Sequence, residues 1–159
     1  MKLIKKIKRI FIKNKSRGVI RFKSCGSNLT IYGNPKITQV ESIEIGSNVN
    51  INDNVVLNAH NAFISIGDNV TLSVNAMLIA ASYNVRKFLK SDTDFRDHEY
   101  SEIHIGNNVW IGAGAIILPN VTIADHVVVG AGSVVTKSIN SSWCIVAGNP
   151  ATIIKELEH

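Results

Sequence analysis

The chain has 159 residues, of which 45% are hydrophobic, and a formal net charge of +5. This length predicts one domain with a substantial core, and no apolar run approaches the roughly eighteen residues of a membrane-spanning helix. The two cysteines, Cys25 and Cys144, are too few for a disulfide framework and lack the spacing of metal ligands. The composition therefore excludes a disulfide-rich or membrane-spanning helical protein, and we expect a cytoplasmic location.

The positive charge lies mainly at the N-terminus. Residues 1–17 contain eight of the seventeen basic residues, whereas residues 18–159 carry nine basic and twelve acidic residues. A basic segment on a mildly acidic body argues against nucleic-acid binding by the body. No nucleic-acid partner is predicted.

Residues 1–17 have the pattern of an amphipathic helix. Their apolar residues fall on one helical stripe with lysines around it, namely Leu3, Ile4, Ile7, Ile10 and Phe11. Two roles stay open for this predicted basic N-terminal helix. It could cover unpaired strands at the end of the domain, or it could make a peripheral contact with anionic lipid at the inner face of the membrane.

A six-residue repeat dominates residues 18–150. Its inward positions in the second half are aliphatic without exception: Ile105, Ile111, Ile117, Ile123, Val129 and Val135. Six residues fit a short strand plus a turn and do not fit a helix, so the repeat predicts an all-β solenoid in which three hexads close one triangular coil. The same period runs earlier through Ile45, Ile51 and Leu57, and again through Ile66, Leu72 and Leu78.

Two segments depart from the repeat. The 27-residue interval from Leu78 to Ile105 predicts a protruding loop over residues 80–102, and long loops on rigid scaffolds are usually functional. After Pro150, residues 151–159 are predicted to form a short C-terminal helix or tail.

The motifs "WIGAG", "GAGSVVTK" and "GNPA" follow one another along the repeat. With these motifs the chain resembles the hexapeptide-repeat acyltransferases, particularly bacterial sugar and polysaccharide O-acetyltransferases. The resemblance implies a left-handed parallel β-helix, an exception to right-handed crossover. It also implies a homotrimer with active sites at the subunit interfaces, where acetyl-CoA lies in the groove between neighbouring solenoids.

Acetyl transfer from a thioester to an alcohol requires a general base and donors for the developing oxyanion, and a histidine suits the first role. No metal is needed. Maltose- and galactoside-type members carry the histidine shortly after the equivalent of Leu78, where this chain reads "ASYN". A pattern resembling that of polysaccharide acetyltransferases, "RDHEYSEIHIG", instead identifies His98 as the candidate base.

Other side chains around His98 have open roles. Asp94, Asp97 or Glu99 could orient its ring, and the sequence does not decide which. His60 is the rival base, at the position that resembles the catalytic histidine of serine acetyltransferases, and otherwise an acceptor contact. His104 is expected on the surface, and Asp53 and Asn84 are further candidate contacts with the acceptor.

The resemblance also implies the donor site. Strand alternation exposes Trp110, which is predicted to lie beside the thioester of acetyl-CoA, with a contact between subunits as the alternative. The remaining predicted contacts with acetyl-CoA are Gly112, Ala113, Ala131, Gly132, Lys137, Asn149 and Pro150.

The sequence thus predicts an acetyl-CoA-dependent O-acetyltransferase that modifies a sugar hydroxyl of a surface polysaccharide or its precursor. Two alternatives remain: an N-acetyltransferase of a nucleotide-linked amino sugar, and a catalytically inactive β-solenoid.

Overall fold

The computed structural model describes residues 12–14, 18–90 and 97–158. Three sheets of short strands form the faces of a triangular solenoid, and strands of successive coils pair in parallel. Sheet I contains β3 (Ser24–Cys25), β6 (Ile43–Ile45), β9 (Phe63–Ile66), β14 (Glu102–Ile105) and β17 (Val121–Ile123).

Sheet II contains β4 (Thr30–Ile31), β7 (Asn50–Ile51), β10 (Thr71–Leu72), β15 (Trp110–Ile111), β18 (Val127–Val129), β20 (Cys144–Gly148) and β21 (Ala151–Glu156). Sheet III contains β5 (Lys36–Thr38), β8 (Val56–Asn58), β11 (Met77–Ile79), β16 (Ile116–Ile117) and β19 (Val134–Val135). The all-β fold class is confirmed, and this solenoid is consistent with a left-handed β-helix.

The repeated aliphatic residues fill the axis of the solenoid. Ile66, Ile105 and Ile123 lie opposite one another on adjacent strands of sheet I, and the inward residues Ile111 and Ile117 have no solvent exposure. Because similar side chains are stacked in register, each has apolar neighbours in the coils above and below. Burying such a side chain stabilises the fold by about 1.5–3 kcal/mol. The six-residue period therefore predicts the core correctly.

The corner between sheets I and II, here called the asparagine edge, joins successive coils through side chains. Asn28, Asn48, Asn69 and Asn108 all have positive φ and form a ladder of amide hydrogen bonds at 2.8, 3.0 and 3.1 Å. Asparagine tolerates this left-handed conformation because its short polar side chain bonds locally.

The corner between sheets III and I, here called the loop edge, contains the irregular connections. A 3-10 turn, Val40–Ser42, joins β5 to β6, and a turn at His60–Asn61 joins β8 to β9. The third is the predicted loop, which contains β12 (Ser82–Tyr83), α1 (Val85–Lys90) and β13 (His98–Glu99). Because β12 and β13 pair only with each other, the loop leaves the solenoid as expected.

The two predicted terminal helices have different outcomes. The apolar stripe of the predicted N-terminal helix, from Leu3 to Phe11, lies outside the described residues, whereas Ile12–Asn14 at the end of the predicted span forms β1, antiparallel to β2 (Gly18–Ile20). The predicted C-terminal helix is instead the strand β21, antiparallel to β20. The β-branched run Thr152–Ile154 favours a strand, and β20 offers an unpaired edge that β21 covers.

Candidate active site

His98 lies in β13 and is directly opposite Tyr83 of β12. The two rings are tilted, with centroids 4.5 Å apart. The His60 ring meets the His98 ring edge-on, with centroids 5.3 Å apart. The structure therefore brings the two rival histidines of the sequence into one cluster at the loop edge.

The imidazole of His98 is half-buried, and its two nitrogens differ. Nδ1 is buried and has no hydrogen-bond partner in the part of the chain that the structure describes. Because Nδ1 is buried, Nε2 is the candidate nitrogen to meet a substrate hydroxyl.

A cavity of about 610 Å³ opens beside His98. It lies along the loop edge and takes its lining from three successive connections: Gln39, Ser42, Asn61, Ala62, Asp97, His98 and Tyr100. The Asn61 N–H donates to Gln39 Oε1 at 2.5 Å, which fixes two connections against each other. The cavity therefore has mainly neutral polar groups, suited to hydroxyl-bearing ligands.

The carboxylate of Asp97 pairs with the ammonium of Lys87 in α1. This hydrogen bond is the largest cause that raises the pKa of Lys87. Asp97 is thereby occupied in holding the loop, so its predicted role in orienting His98 has no support from this contact. Asp94 lies outside the described residues.

Asn84 and Asp53 have structural contacts that the sequence does not reveal. Asn84 Oδ1 accepts the N–H of Lys87 at 3.0 Å and so caps α1. Asp53 lies between β7 and β8, and its Oδ1 accepts the N–H groups of Asn34 at 2.7 Å and Asn54 at 3.0 Å. Asn84 stays near the cavity at the start of α1, whereas Asp53 lies on another corner of the prism.

The corner between sheets II and III, here called the glycine edge, contains most of the predicted donor contacts. The turns there place Gly112 and Ala113 in one coil, Ala131 and Gly132 in the next, and Asn149–Pro150 beyond them. Gly132 N–H donates to Ala113 O at 2.8 Å, and Gly132 has a φ of +67° with open space on its Cβ side. The Asn149–Pro150 peptide bond is cis.

Gly112 has a packing role in addition to its predicted contact with the donor. A Cβ atom at this position would lie 2.6 Å from the backbone nitrogen of Ala131. Only glycine permits the two coils to approach so closely. Lys137, in contrast, follows β19 at the loop edge and is exposed, so it is separated from the other predicted donor contacts of the same chain.

Trp110 is 55% exposed on the outer face of sheet II, as strand alternation predicts. Its indole Nε1 donates to Ser73 Oγ at 2.8 Å, which fixes the ring over the preceding coil. A shallow cavity of about 390 Å³ lies beside it, lined by Asn69, Thr71, Asn108, Val109 and Trp110. A fixed, exposed indole is suited to packing against a ligand or another chain.

Sequence reasoning missed the partners of His104. This residue lies on the outer face of sheet I as expected, with Nδ1 2.7 Å from Ser65 Oγ and Nε2 2.7 Å from Glu102 Oε2. The hydrogen bond from His104 is the largest cause that lowers the pKa of Glu102, and a bond from Tyr100 adds to it. Tyr100, Gln39 and Asn61 were also not predicted, because they come together only when coils of unequal length are stacked.

Among the residues that the structure describes, no group of three or more histidine, cysteine or acidic side chains is placed to hold a metal ion. No described helix has both the length and the apolar composition needed to cross a membrane.

The six-residue repeat that builds this solenoid is shared with a known class of transferases. Residues 102–137 match the family described as "Bacterial transferase hexapeptide (six repeats)". The maltose O-acetyltransferase of Clostridium difficile 630 superposes with a TM-score of 0.76 and 38% identity, over 87% of this chain and 71% of that one. The chain belongs to the hexapeptide-repeat acyltransferase family.

Other relatives extend this comparison. A galactoside acetyltransferase in complex with coenzyme A superposes with a TM-score of 0.77 and 34% identity, over 86% of this chain and 66% of that one. The dTDP-4-amino-4,6-dideoxy-D-glucose acyltransferase of Escherichia coli is 30% identical over 126 residues, 64% of this chain and 66% of the relative. The galactoside O-acetyltransferase of Escherichia coli strain K12 is 36% identical over 105 residues, 65% of this chain and 49% of the relative. The chain thus spans about two thirds of the length of the first of these two curated relatives and about half of the second.

Proposed function

We propose that this protein is an acetyl-CoA-dependent O-acetyltransferase that modifies a sugar hydroxyl of a surface polysaccharide or its precursor. The observation that carries the proposal is the cluster of His98 with Tyr83 and His60, beside a cavity lined mainly by neutral polar groups. Relatives named as maltose and galactoside O-acetyltransferases, one of them bound to coenzyme A, support the reaction and the co-substrate.

The chemistry follows from the placement of His98. Nε2 removes the proton from the acceptor hydroxyl as its oxygen attacks the thioester carbonyl carbon. Backbone N–H groups of the coil stabilise the resulting oxyanion. The carbon–sulfur bond then breaks, and the coenzyme A thiolate takes the proton back from the imidazolium. Atoms and charges balance without a metal or a covalent enzyme intermediate.

The positions of the two half-sites support a homotrimer with shared sites. His98 is at the loop edge, whereas the glycine-rich turns are at the glycine edge, separated by the width of sheet III. A side of about five residues at roughly 3.3 Å each keeps these edges near 17 Å apart. Packing the loop edge of one subunit against the glycine edge of the next would complete the site, as a cyclic assembly permits.

A second candidate is N-acylation of a nucleotide-linked amino sugar. The relative named as a dTDP-4-amino-4,6-dideoxy-D-glucose acyltransferase favours it. Among the described residues that line the cavity, however, there is no lysine or arginine to meet a diphosphate. We therefore favour an uncharged glycan acceptor. A peripheral contact with the inner face of the membrane through residues 1–17 would fit a membrane-linked glycan precursor, and these residues lie largely outside the described part.

The experiment that tests the proposal replaces His98. His98→Ala should lower acetyl transfer by at least about a hundredfold, the scale of a lost general base, with the KM for acetyl-CoA unchanged. Release of coenzyme A would be followed with maltose, methyl β-D-galactopyranoside and dTDP-4-amino-4,6-dideoxyglucose as acceptors. Faster turnover of the nucleotide sugar would establish the second candidate.

His60→Ala is the matched control, because the same ring size is removed from the same cluster. It should reduce turnover less than tenfold and act mainly on the acceptor KM. If His60→Ala abolishes transfer and His98→Ala retains it, the roles are reversed. If coenzyme A neither raises the melting temperature nor is released with any acceptor, the protein is an inactive solenoid.

A further inference from the structure

A chain of hydrogen bonds runs along the outer face of sheet I and ends at the acceptor cavity. Ser65 and His104 are neighbours on paired strands, and the His104 ring joins Ser65 Oγ to Glu102 Oε2 with both distances at 2.7 Å. The Glu102 carboxylate also interacts with the side chain of Tyr100, a contact that adds to the larger effect of His104 in lowering the pKa of Glu102. Tyr100 is thus held through Glu102 and His104 to a strand of the rigid solenoid.

The position of Tyr100 is unusual for a merely structural residue. Its side chain lines the cavity that His98 enters, and it is 67% exposed. An exposed tyrosine normally samples several rotamers, and ordering one has an entropic cost. Fixing this ring through two further side chains makes sense if the ring has to be in place before a ligand arrives.

We propose that Tyr100 is an acceptor-binding, specificity-determining residue, with Glu102 and His104 as its positioning residues. Tyr100 receives a pyranose whose apolar face packs on the ring and whose hydroxyl donates to the phenol oxygen. When the phenol O–H is directed at the Glu102 carboxylate, the phenol oxygen still has a lone pair that can accept a hydrogen bond from the sugar. This inference rests on the proposed function and names the substrate class of the same site.

The charges around the cavity agree with a neutral pyranose. Asp97 is the charged group among the described lining residues, and Lys87 pairs with it. The remaining groups that line the cavity are amides, hydroxyls, an imidazole and an aromatic ring, which match the alternating polar and apolar surfaces of a sugar.

The test separates the ring, the phenol and the positioning residues. With methyl β-D-galactopyranoside and maltose as acceptors, Tyr100→Phe should raise the acceptor KM roughly three- to tenfold, the scale of one lost hydrogen bond. Tyr100→Ala should raise it further, and Glu102→Ala should resemble Tyr100→Phe. In all three variants kcat should stay within about threefold of wild type, with the KM for acetyl-CoA unchanged.

Conservative and neighbouring substitutions provide the controls. Glu102→Gln retains an acceptor for the phenol and should restore most of the acceptor affinity. The double variant Tyr100→Phe with Glu102→Ala should be no worse than either single variant, because both act through one contact. Thr122→Val changes the residue beside His104 on the same face of sheet I and should have no effect.

The outcomes are distinguishable. An acceptor KM for Tyr100→Phe and Tyr100→Ala within twofold of wild type overturns the inference while leaving the acetyltransferase proposal intact. Additive effects of Tyr100→Phe and Glu102→Ala overturn the positioning role. A wild-type protein that acetylates neither glycoside overturns the proposed function and this inference together.

Discussion

Single carboxylates join neighbouring coils at the asparagine edge. Asp125 Oδ1 accepts the backbone N–H of Asn107 at 2.6 Å, and the Asn107 side-chain amide approaches both carboxylate oxygens. The backbone hydrogen bond is the largest cause that lowers the pKa of Asp125. A residue at one corner thus links two coils through a charge that depends on pH.

The contribution of Asp125 to the stability of the fold should depend on pH. Because its pKa is lower in the folded than in the unfolded chain, this stabilisation is present above the unfolded value of about 3.9 and is lost as the pH falls through the folded value. Asp125→Asn should therefore lower the melting temperature at pH 7, and the difference from wild type should shrink as the pH falls below about 3.9 towards the lower folded value. Differential scanning calorimetry across this range measures the difference.

Glu44→Gln is the charge-matched control, because it removes a carboxylate from the exposed pair with Lys23. Subtracting its effect corrects for the change in net charge. A constant difference between Asp125→Asn and wild type at all pH values would show that the carboxylate acts through packing rather than charge.

Residues that face the axis could be predicted from the sequence, and residues that meet across coils could not. The inward position of Ile111 follows from a local period, because every sixth residue reaches the same core. The contact between His60 and His98 depends on how far the loop folds back along the solenoid. Tyr100 belongs to the cavity for the same non-local reason, and no short motif marks it.

The loop is an element attached to the solenoid rather than part of its core. None of the residues of α1 is buried, and the apolar side chains Val85 and Leu89 are 60% and 76% exposed. The Asn84 N–H donates to Asp97 O at 2.9 Å, which closes the loop at its base. The described helix of the loop therefore adds no buried residue to the core.

Shortening the loop should leave the solenoid intact. Replacing residues 85–96 with Asn-Gly gives a two-residue turn between Asn84 and Asp97, a favoured connection for paired antiparallel strands. We expect a melting temperature within about 5 °C of wild type, since little buried surface is lost. Stabilisation by coenzyme A should persist, which thermal shift measures. A loss of cooperative unfolding would show that the loop belongs to the core.

The C-terminal element shows why local propensity was insufficient. The charges of "IIKELEH" are compatible with a helical turn, but β20 presents unpaired backbone groups beside the segment. Satisfying them with β21 gives several hydrogen bonds, which outweighs the weak helix preference of a short peptide.

At the scale of the whole molecule, the three corners of the prism have different tasks. The asparagine edge joins coils, the loop edge presents His98 and the cavity, and the glycine edge is where we propose that acetyl-CoA binds. Because the loop edge and the glycine edge are separated within one chain, we expect complete active sites only between subunits.

Mixed assemblies test this arrangement. His98→Ala and Ala131→Trp, which blocks the glycine edge, should each be inactive as homogeneous preparations. Co-expressed with different tags and purified through both, they should regain a fraction of wild-type kcat, because some interfaces then combine two intact halves. No recovery in verified mixed oligomers would place both halves within one chain.

Concentrating every long connection on one edge has an evolutionary consequence. Insertions between sheets III and I leave the strand register and the stacked aliphatic core untouched, so that corner can diversify freely. Descendants of one ancestral solenoid could acquire new glycan preferences by exchanging three surface segments. The corner between sheets II and III could meanwhile preserve an inherited affinity for the same acyl carrier.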